Sequence, residues 1–270
     1  MTPKRILFIT QAITPFVAET ETSWWGRKAP QYVQERGSEI RVFMPKWGTI
    51  NERRCQLHEV KRLSGMNLII DDTDHLLIIK VASIQSARMP VYFIDNDECF
   101  MKRLEVSDPH GQEYPDNAER AVFYARGIIE TIKKMRWNPD VVICQGWASV
   151  VAPILIKKAF REELSFRDSK VVFTPSAPDI LKLKTSPQFR KDIMFKNITP
   201  DDLAAYPEEL DINDLYHLAV DYSDALFFTP ETIDERLEEY AKAHKVPTGG
   251  PFDLETDGLD RLYELLETLG

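Results

Sequence analysis

Strand-like apolar runs alternate with helix-like segments along most of this chain. The strands are expected at residues 5–10, 39–44, 140–144, 170–174 and 225–228. The helices are expected at residues 24–36, 117–136, 149–160 and 257–268. Parallel strands need long crossover connections, which are usually helices, so this alternation predicts an α/β fold. We expect a Rossmann-like, doubly wound, mostly parallel sheet with helices on both faces.

Three short apolar runs interrupt the regular alternation, at residues 67–70, 76–81 and 91–95. The acidic turn at residues 71–74 interrupts them between the first run and the second. This region is therefore predicted to form a small antiparallel or edge excursion of the sheet. We expect one Rossmann-like domain over residues 1–246, followed by a tail turn and a C-terminal helix over residues 247–270.

The turn between the first strand and the first helix, residues 16–23, is unusual for such a fold. Nucleotide-binding α/β domains hold phosphate there with glycines and backbone N–H groups. This turn contains no glycine, lysine or arginine, and it carries Glu19 and Glu21. Acidic residues before a helix stabilise it through the helix dipole, and Ser23 is the expected N-cap. Glu19, Thr20 and Glu21 also remain candidates for substrate binding.

Composition and charge narrow the classes of function. The chain has 270 residues, 43% of them hydrophobic, and a net charge of −9, which disfavours nucleic acid and anionic membranes as partners. The N-terminus lacks a signal peptide, and no apolar run approaches the roughly 20 residues of a membrane span. Three separated cysteines and five histidines show no ligand spacing. We expect a reduced, cytoplasmic protein with no metal and no cofactor.

A combination of motifs extends over about residues 4–240. Its parts are Ile6–Phe16 with Arg41–Gly48, Val91–Asn96 with Tyr114–Phe123, Pro139–Trp147, and Asp221–Glu231. Together they resemble the N-terminal domain of bacterial glycogen and starch synthases, which are retaining ADP-glucose glycosyltransferases. The family patterns are a strand with "APF", a strand ending "LPxYG", "VYFID", "YxDNxxRFxxF", "PDVVHxHDWH" and an "ADA" step before "TVSPTY".

The resemblance implies the N-terminal half of a B-type glycosyltransferase fold. It also implies glucosyl transfer from ADP-glucose to the non-reducing end of an α-1,4-glucan. The family's second Rossmann-like domain, which carries most of the donor site, is expected to be absent from this chain. Within the turn, the family's lysine falls on Ala18 and its glycine pair falls on Thr20 and Glu21. The isolated chain is therefore expected to be catalytically incomplete.

The resemblance also supplies candidate site residues. Asp116 and Gln145 are the candidates for catalysis, and Tyr92, Asp116, Asn117, Gln145 and Trp147 for substrate binding. Asp116 also fits an N-cap, with Glu119 reaching back in a capping box. Gln145 replaces a family histidine, and it can bind a hydroxyl but cannot transfer a proton. Trp147 suits either stacking on a sugar ring or burial in the core.

An alternative function is a non-catalytic module that binds glucan or partners another protein chain. The adjacent Trp24 and Trp25 project from neighbouring sides of a helix, so one is expected in the core and the other at an interface or over the cleft. Self-association or a protein partner is therefore expected. An open polar cleft favours carbohydrate binding, whereas a cleft filled by Trp24 or by the tail favours a structural role.

Overall fold

The computed structural model describes residues 3–176 and 182–269, which are built around a mixed β-sheet. Its strands are β1 (Arg5–Thr10), β2 (Glu39–Pro45), β3 (His58–Glu59), β4 (Met66–Ile70), β5 (Thr73–Ile84), β6 (Met89–Asp95), β7 (Val141–Gln145), β8 (Lys170–Thr174), β9 (Ala225–Phe227) and β10 (Thr248–Gly249). Its α-helices are α1 (Glu21–Glu35), α2 (Asn117–Met135), α3 (Ala152–Ile154), α4 (Pro187–Ile193), α5 (Ile212–Asp221), α6 (Glu235–Ala243) and α7 (Gly258–Leu269).

The strand order confirms the predicted doubly wound sheet. The strands follow the order β10-β9-β8-β7-β1-β2-β6-β5-β3, and β4 pairs with β5. The pairings from β10 through to β6 are parallel, whereas β3, β4 and β6 pair antiparallel with β5. The chain moves from β1 to β2 on one side and later returns to β7 on the other. The crevice between β1 and β7 is thus the topological switch point.

The helix α2 is more deeply buried than its sequence pattern predicts. The pattern indicated one apolar stripe, with Ala118, Val122 and Ile129 among its members. Residues all round the helix are buried, including the charged Arg120 and Arg126. The helix is enclosed because α3 and α4 contact it in addition to the strands β4 and β6. The predicted stripe is buried as expected, and the burial extends beyond it to the other sides of the helix.

The two N-caps predicted from sequence, Ser23 for α1 and Asp116 for α2, differ from those in the structure. The helix α1 begins at Glu21 instead of residue 24, and its cap is a box in which the side chains of Thr20 and Ser23 each bind the other residue's backbone N–H. Asp116 occupies the N-cap position of α2, but its side chain makes no capping hydrogen bond. Asp116 pairs instead with Arg103, so the predicted capping box was wrong.

Three other predicted helices are shorter or less regular than expected. Residues 149–160 contain α3 followed by a π-helical turn at Leu155–Ala159. The prolines after Thr199 and Thr229 begin only 3₁₀ turns, at Pro200–Leu203 and Pro230–Thr232. The longer helices α5 and α6 follow the N-caps Asp211 and Asp234, whose carboxylates each accept two backbone N–H groups.

The C-terminal segment packs against α1 and the sheet edge. The strand β10 pairs with β9, which the sequence did not predict. Asp260 on α7 accepts hydrogen bonds from the Tyr32 hydroxyl and the Arg36 guanidinium of α1. On the same helix α1, the ring centroid of Trp25 lies 5.9 Å from that of Phe227 in β9. Trp25 is thus the core member of the tryptophan pair, and Trp24 is half-buried at the surface.

Within the described ranges, no helix combines the length and apolar character that crossing a bilayer requires. The same ranges contain no cluster of three or more His, Cys, Asp or Glu residues suited to a metal ion.

Candidate functional site

The carboxyl ends of the parallel strands form the edge of the sheet where ligands bind in open α/β folds. Three places at this edge contain predicted site residues. They are the β1/β7 crevice, the turn before α1, and a pocket beside the N-terminus of α2.

The β1/β7 crevice holds Gln145 in an internal hydrogen-bond chain. The Thr10 hydroxyl donates to Gln145 Oε1 over 2.7 Å. Gln145 Nε2 in turn donates to the Thr22 carbonyl of α1 over 3.2 Å. The side chain is 8% exposed, and both ends of its amide are used by the protein. Gln145 therefore ties β1, β7 and α1 together.

Trp147 packs into the same β1/β7 crevice. Its backbone N–H donates to Gln11 Oε1 over 2.9 Å, and its ring stacks 5.8 Å from that of Trp47. Trp47 Nε1 donates to the Gln11 carbonyl over 2.8 Å. Gly146 makes this arrangement possible, because it has φ of 82° and a Cβ there would lie 2.1 Å from Gln11 Oε1. The crevice is closed by the protein's own side chains.

The turn before α1 brings Glu19, Thr20 and Glu21 together, and each has a protein partner. Trp24 Nε1 donates to Glu19 Oε1 over 2.6 Å, and the Thr20 hydroxyl accepts the N–H of the first helical turn. Glu21 Oε1 accepts the Glu231 backbone N–H over 3.0 Å. Since residues 16–23 contain no cation, the turn itself offers nothing to neutralise a diphosphate.

The third place, which we call the α2 pocket, has a volume of about 510 Å³. It lies between the N-terminus of α2, the π-helical turn after β6, and α4. Its charged lining residues are Glu98, Lys102, Arg103, Asp116, Glu119, Arg120 and Asp192. Mixed charges of this kind, on rigid elements around one concavity, can bind a polar ligand.

Arg120 is the most constrained charged group of the α2 pocket. Its side chain is 1% exposed, with Nε donating to the Cys99 carbonyl over 2.6 Å and Nη1 donating to the Glu105 carbonyl over 2.9 Å. Nη1 also donates to Asn117 Oδ1 over 2.5 Å, and the guanidinium carbon lies 5.2 Å from the Trp47 ring centroid. Burial lowers the pKa of Arg120 to about 10.

Three buried polar atoms of the α2 pocket residues have no hydrogen-bond partner in the part of the chain that the structure describes. They are Asp116 Oδ1, Glu119 Oε2 and Arg120 Nη2. Burial raises the pKa of Glu119, although a hydrogen bond from Ser186 opposes the shift. An unsatisfied buried polar group costs about 1–3 kcal/mol. A ligand that both donates and accepts hydrogen bonds would remove this cost, and a hydroxyl group does both.

Two predicted site residues, the partly buried Tyr92 and the buried Asn117, lie away from the lining of the α2 pocket. Tyr92 lies within β6, and its ring stacks 5.2 Å from that of Phe43. Asn117 is fully buried, and its Nδ2 donates to the Val106 carbonyl over 2.9 Å. Asn117 Oδ1 also accepts a hydrogen bond from Arg120 Nη1, so Asn117 holds the Arg120 guanidinium in position.

Of the residues predicted from sequence, only Asp116 lines the α2 pocket. Sequence reasoning missed Arg103, Glu119, Arg120 and Asp192. A signal for two of them was present, because Asp116, Glu119 and Arg120 follow the helical i, i+3, i+4 spacing and so share one face of α2. Arg103 and Asp192 come from distant segments and gave no such signal.

Comparison with known proteins shows which family this chain belongs to. The family model described as starch synthase catalytic domain matches residues 5–242. The glycogen synthase of Pelodictyon phaeoclathratiforme is 29% identical over 239 residues, covering 86% of this chain and 47% of that protein. The glycogen synthase of Chlorobium limicola is 33% identical over 171 residues, covering 63% of this chain and 35% of that protein.

A solved structure shares the fold. It is the catalytic domain of starch synthase IV from Arabidopsis thaliana bound to ADP and acarbose, with a TM-score of 0.71 and 12% sequence identity. The match covers 89% of this chain and 50% of that chain. This chain thus spans about half the length of the relatives it matches or less. With the family model matching most of its residues, the chain belongs to the starch synthase catalytic domain family.

Proposed function

We propose that this chain provides the acceptor side of a glycogen or starch synthase reaction, in which glucose passes from ADP-glucose to an α-1,4-glucan. The glucan end binds in the α2 pocket. The observation that carries the proposal is the set of unpartnered buried atoms there, on Asp116, Glu119 and Arg120. Sugar hydroxyls donate to carboxylates and accept from guanidinium groups, so a glucose unit satisfies all three.

The charge of the α2 pocket favours a neutral sugar over a nucleotide diphosphate. The three cationic residues of its lining face four carboxylates. The Arg103 guanidinium is already paired with Asp116 over 3.0 Å. A diphosphate would meet more negative than positive charge, and like charges brought together in a desolvated site cost several kcal/mol.

The same charge argument applies to the donor. The turn at residues 16–23 supplies no cation, and Glu19 and Glu21 stand where the family has phosphate-binding chemistry. Stabilisation of a departing diphosphate is usually a large part of such catalysis. We therefore propose that turnover needs groups outside these 270 residues, either on the same polypeptide or on a partner. The chain alone binds glucan without transferring glucose to it.

Calorimetry with the chain as it stands tests this proposal. Maltoheptaose is expected to bind, ADP-glucose is not, and labelled ADP-glucose is expected to leave no label in glycogen. Asp116→Ala should weaken maltoheptaose binding at least tenfold, a change of about 1.4 kcal/mol.

Asp97→Ala is the matched control, because Asp97 is an exposed carboxylate next to the pocket residue Glu98. Robust glucose transfer by the chain alone would refute the proposed incompleteness. Equal maltoheptaose binding by the Asp116 variant and the control would refute the site.

A further inference from the structure

The antiparallel hairpin of β4 and β5 leaves one open edge on the sheet. Among the described strands, β4 pairs with β5 alone, and Ile70 is the partner of Thr73 across a two-residue turn. Backbone hydrogen bonds alternate along an antiparallel pair. Ile70 and every second residue before it therefore direct their N–H and C=O groups to β5. Asn67 and Ile69, between them, direct theirs away from the sheet.

The open edge of β4 is accessible to another strand. Asn67 is exposed, Ile69 is 60% exposed, and Leu76 on the same face of the hairpin is 49% exposed. Within the described ranges, one hydrogen bond reaches this edge, from Arg126 Nη2 to the Ile69 carbonyl over 3.3 Å, and that oxygen keeps a second lone pair. The strand contains no proline and no charged residue, which are the usual means of blocking an edge.

The two ends of the open edge carry opposite charge. At one end, the turn after β4 contributes Asp71 and Asp72, and Asp74 follows at the start of β5. All three are exposed. Gln188 Nε2 donates to Asp71 over 3.0 Å, whereas the carboxylates of Asp72 and Asp74 have no partner among the residues that the structure describes. This end of the edge is therefore acidic.

The other end of the edge is basic. Residues 61–64 loop out there, between the backbone hydrogen bonds that the Val60 and Gly65 N–H groups donate to β5, over 2.8 and 3.0 Å. The loop carries Lys61 and Arg62, which are both exposed. Neither forms an ion pair with any residue in the described part of the chain, although the net charge of the chain is −9.

The acidic turn and the basic loop are equally far from the centre of β4. Leu68 is the middle residue of the strand. The turn begins three residues after it, at Asp71, and the basic loop ends three residues before it, at Gly65. At about 3.3 Å per residue, each lies about 10 Å from Leu68 along the edge. A two-fold axis at Leu68 therefore places the acidic turn of each of two copies beside the basic loop of the other.

We propose that β4 is a self-association edge, through which two copies of this chain pair antiparallel about a two-fold axis at Leu68. Asn67 of each copy exchanges backbone hydrogen bonds with Ile69 of the other. The two Ile69 side chains lie diagonally across the new pair of strands, about 7–8 Å apart, and Asp72 of each copy faces Arg62 of the other. The proposal requires no glucan and is independent of the function proposed above.

Charge reversal tests the pairing, with sedimentation velocity of the full chain in low salt and without sugar. The parent chain is expected to dimerise at tens of micromolar. Asp72→Arg and Arg62→Asp each bring like charges together at both ends of the edge, so each should weaken the dimer at least tenfold. An equimolar mixture of these two variants should recover it, because the mixed dimer matches opposite charges at both ends. Glu239→Arg and Arg161→Asp, at exposed positions on other elements, are the controls and should dimerise like the parent.

Backbone pairing is tested at Asn67. Asn67→Pro removes an N–H that the ladder to β5 does not use, and edge strands tolerate proline, so the variant should fold and lose the dimer. Asn67→Ala keeps the N–H and should dimerise like the parent. Circular dichroism checks the fold, and the charge variants decide alone if the proline variant does not fold.

Three results would overturn the self-association edge. One is a parent chain that stays monomeric at hundreds of micromolar. Another is a folded Asn67→Pro variant, or either charge variant, that dimerises as tightly as the parent. The third is a mixture of the two charge variants that is no more dimeric than either variant alone.

Discussion

Replacing Gly146 by alanine tests whether the β1/β7 crevice is closed as the structure describes. Gly146 has φ of 82° and ψ of 175°, a region of backbone conformation that is almost restricted to glycine. Its missing side chain also leaves room for Gln11, whose Oε1 would lie 2.1 Å from an added Cβ. The substitution therefore introduces both backbone strain and a steric clash.

The two effects can be estimated separately. Backbone strain in this region costs about 1–3 kcal/mol. Displacing Gln11 removes the acceptor of the Trp147 backbone N–H, and an unsatisfied buried donor costs about 1–3 kcal/mol more. The sum is about 2–6 kcal/mol, which is a large part of the 5–15 kcal/mol that stabilises a typical domain. We expect Gly146→Ala to fold poorly or to unfold readily.

Urea unfolding followed by circular dichroism measures the loss. With a urea dependence of about 3 kcal/mol per molar, the midpoint should fall by roughly 0.7–2 M. Gly37→Ala is the matched control, since Gly37 has φ of 93° but no atom within 4 Å of an added Cβ. That control should cost only about 1–2 kcal/mol, because it introduces strain without a clash.

A double-mutant cycle isolates the clash. In a Gln11→Ala background, the contact that Gly146→Ala would disturb is already gone, so the glycine substitution should cost only its backbone strain. The difference between the two backgrounds should be about 1–3 kcal/mol. An equal cost of Gly146→Ala in both backgrounds, or a cost no larger than that of Gly37→Ala, would refute the reasoning.

Three further predictions concern the α2 pocket. Arg120→Met should lower the free energy of unfolding by about 3 kcal/mol or more, because two backbone carbonyls and one side-chain amide lose their donor; a loss under about 1 kcal/mol in urea unfolding contradicts this. Burial raises the pKa of Glu119, so the folded chain holds its proton more tightly than the unfolded chain and is destabilised as pH rises from about 4 through the raised pKa. Glu119→Gln, which can still accept from Ser186, should therefore be more stable than the parent chain at pH 7, with the advantage gone near pH 4; a pH-independent difference contradicts it. Burial raises the pKa of the Cys99 thiol to about 12, so a thiol reagent at pH 8 should label the native chain at Cys55 first, and labelling of Cys99 at the same rate, seen by peptide mass mapping, contradicts this.

The order of strands and helices followed from the sequence because it depends on local periodicity. Buried parallel strands such as β1, β7 and β8 are continuous apolar runs, and the helices between them repeat at helical spacing. The antiparallel excursion was also predictable, from three apolar runs and an acidic turn. The two-residue strands β3 and β10 were not, because pairs so short form only where a neighbouring strand already presents its edge.

The candidate site could be predicted only in part. The sequence correctly put Asp116, Gln145 and Trp147 near strand or helix ends at the carboxyl edge. It could not say which of these side chains a ligand reaches. Gln145 is engaged by Thr10, which is 135 residues away along the chain, and the Trp147 N–H is engaged by Gln11, which is 136 residues away. Such contacts depend on how β1 and β7 lie side by side.

The sequence by itself determined the α/β class, the family and the absence of a cation from the turn before α1. Each of these follows directly from the types of residue and their spacing along the chain. Tertiary structure alone decided which carboxylates and guanidinium groups share a cavity. Glu119 reaches Ser186 across 67 residues, and Arg103 reaches Asp116 from a different segment. Hydrogen bonds and charges act over a few ångströms in space, whereas sequence records only separation along the chain.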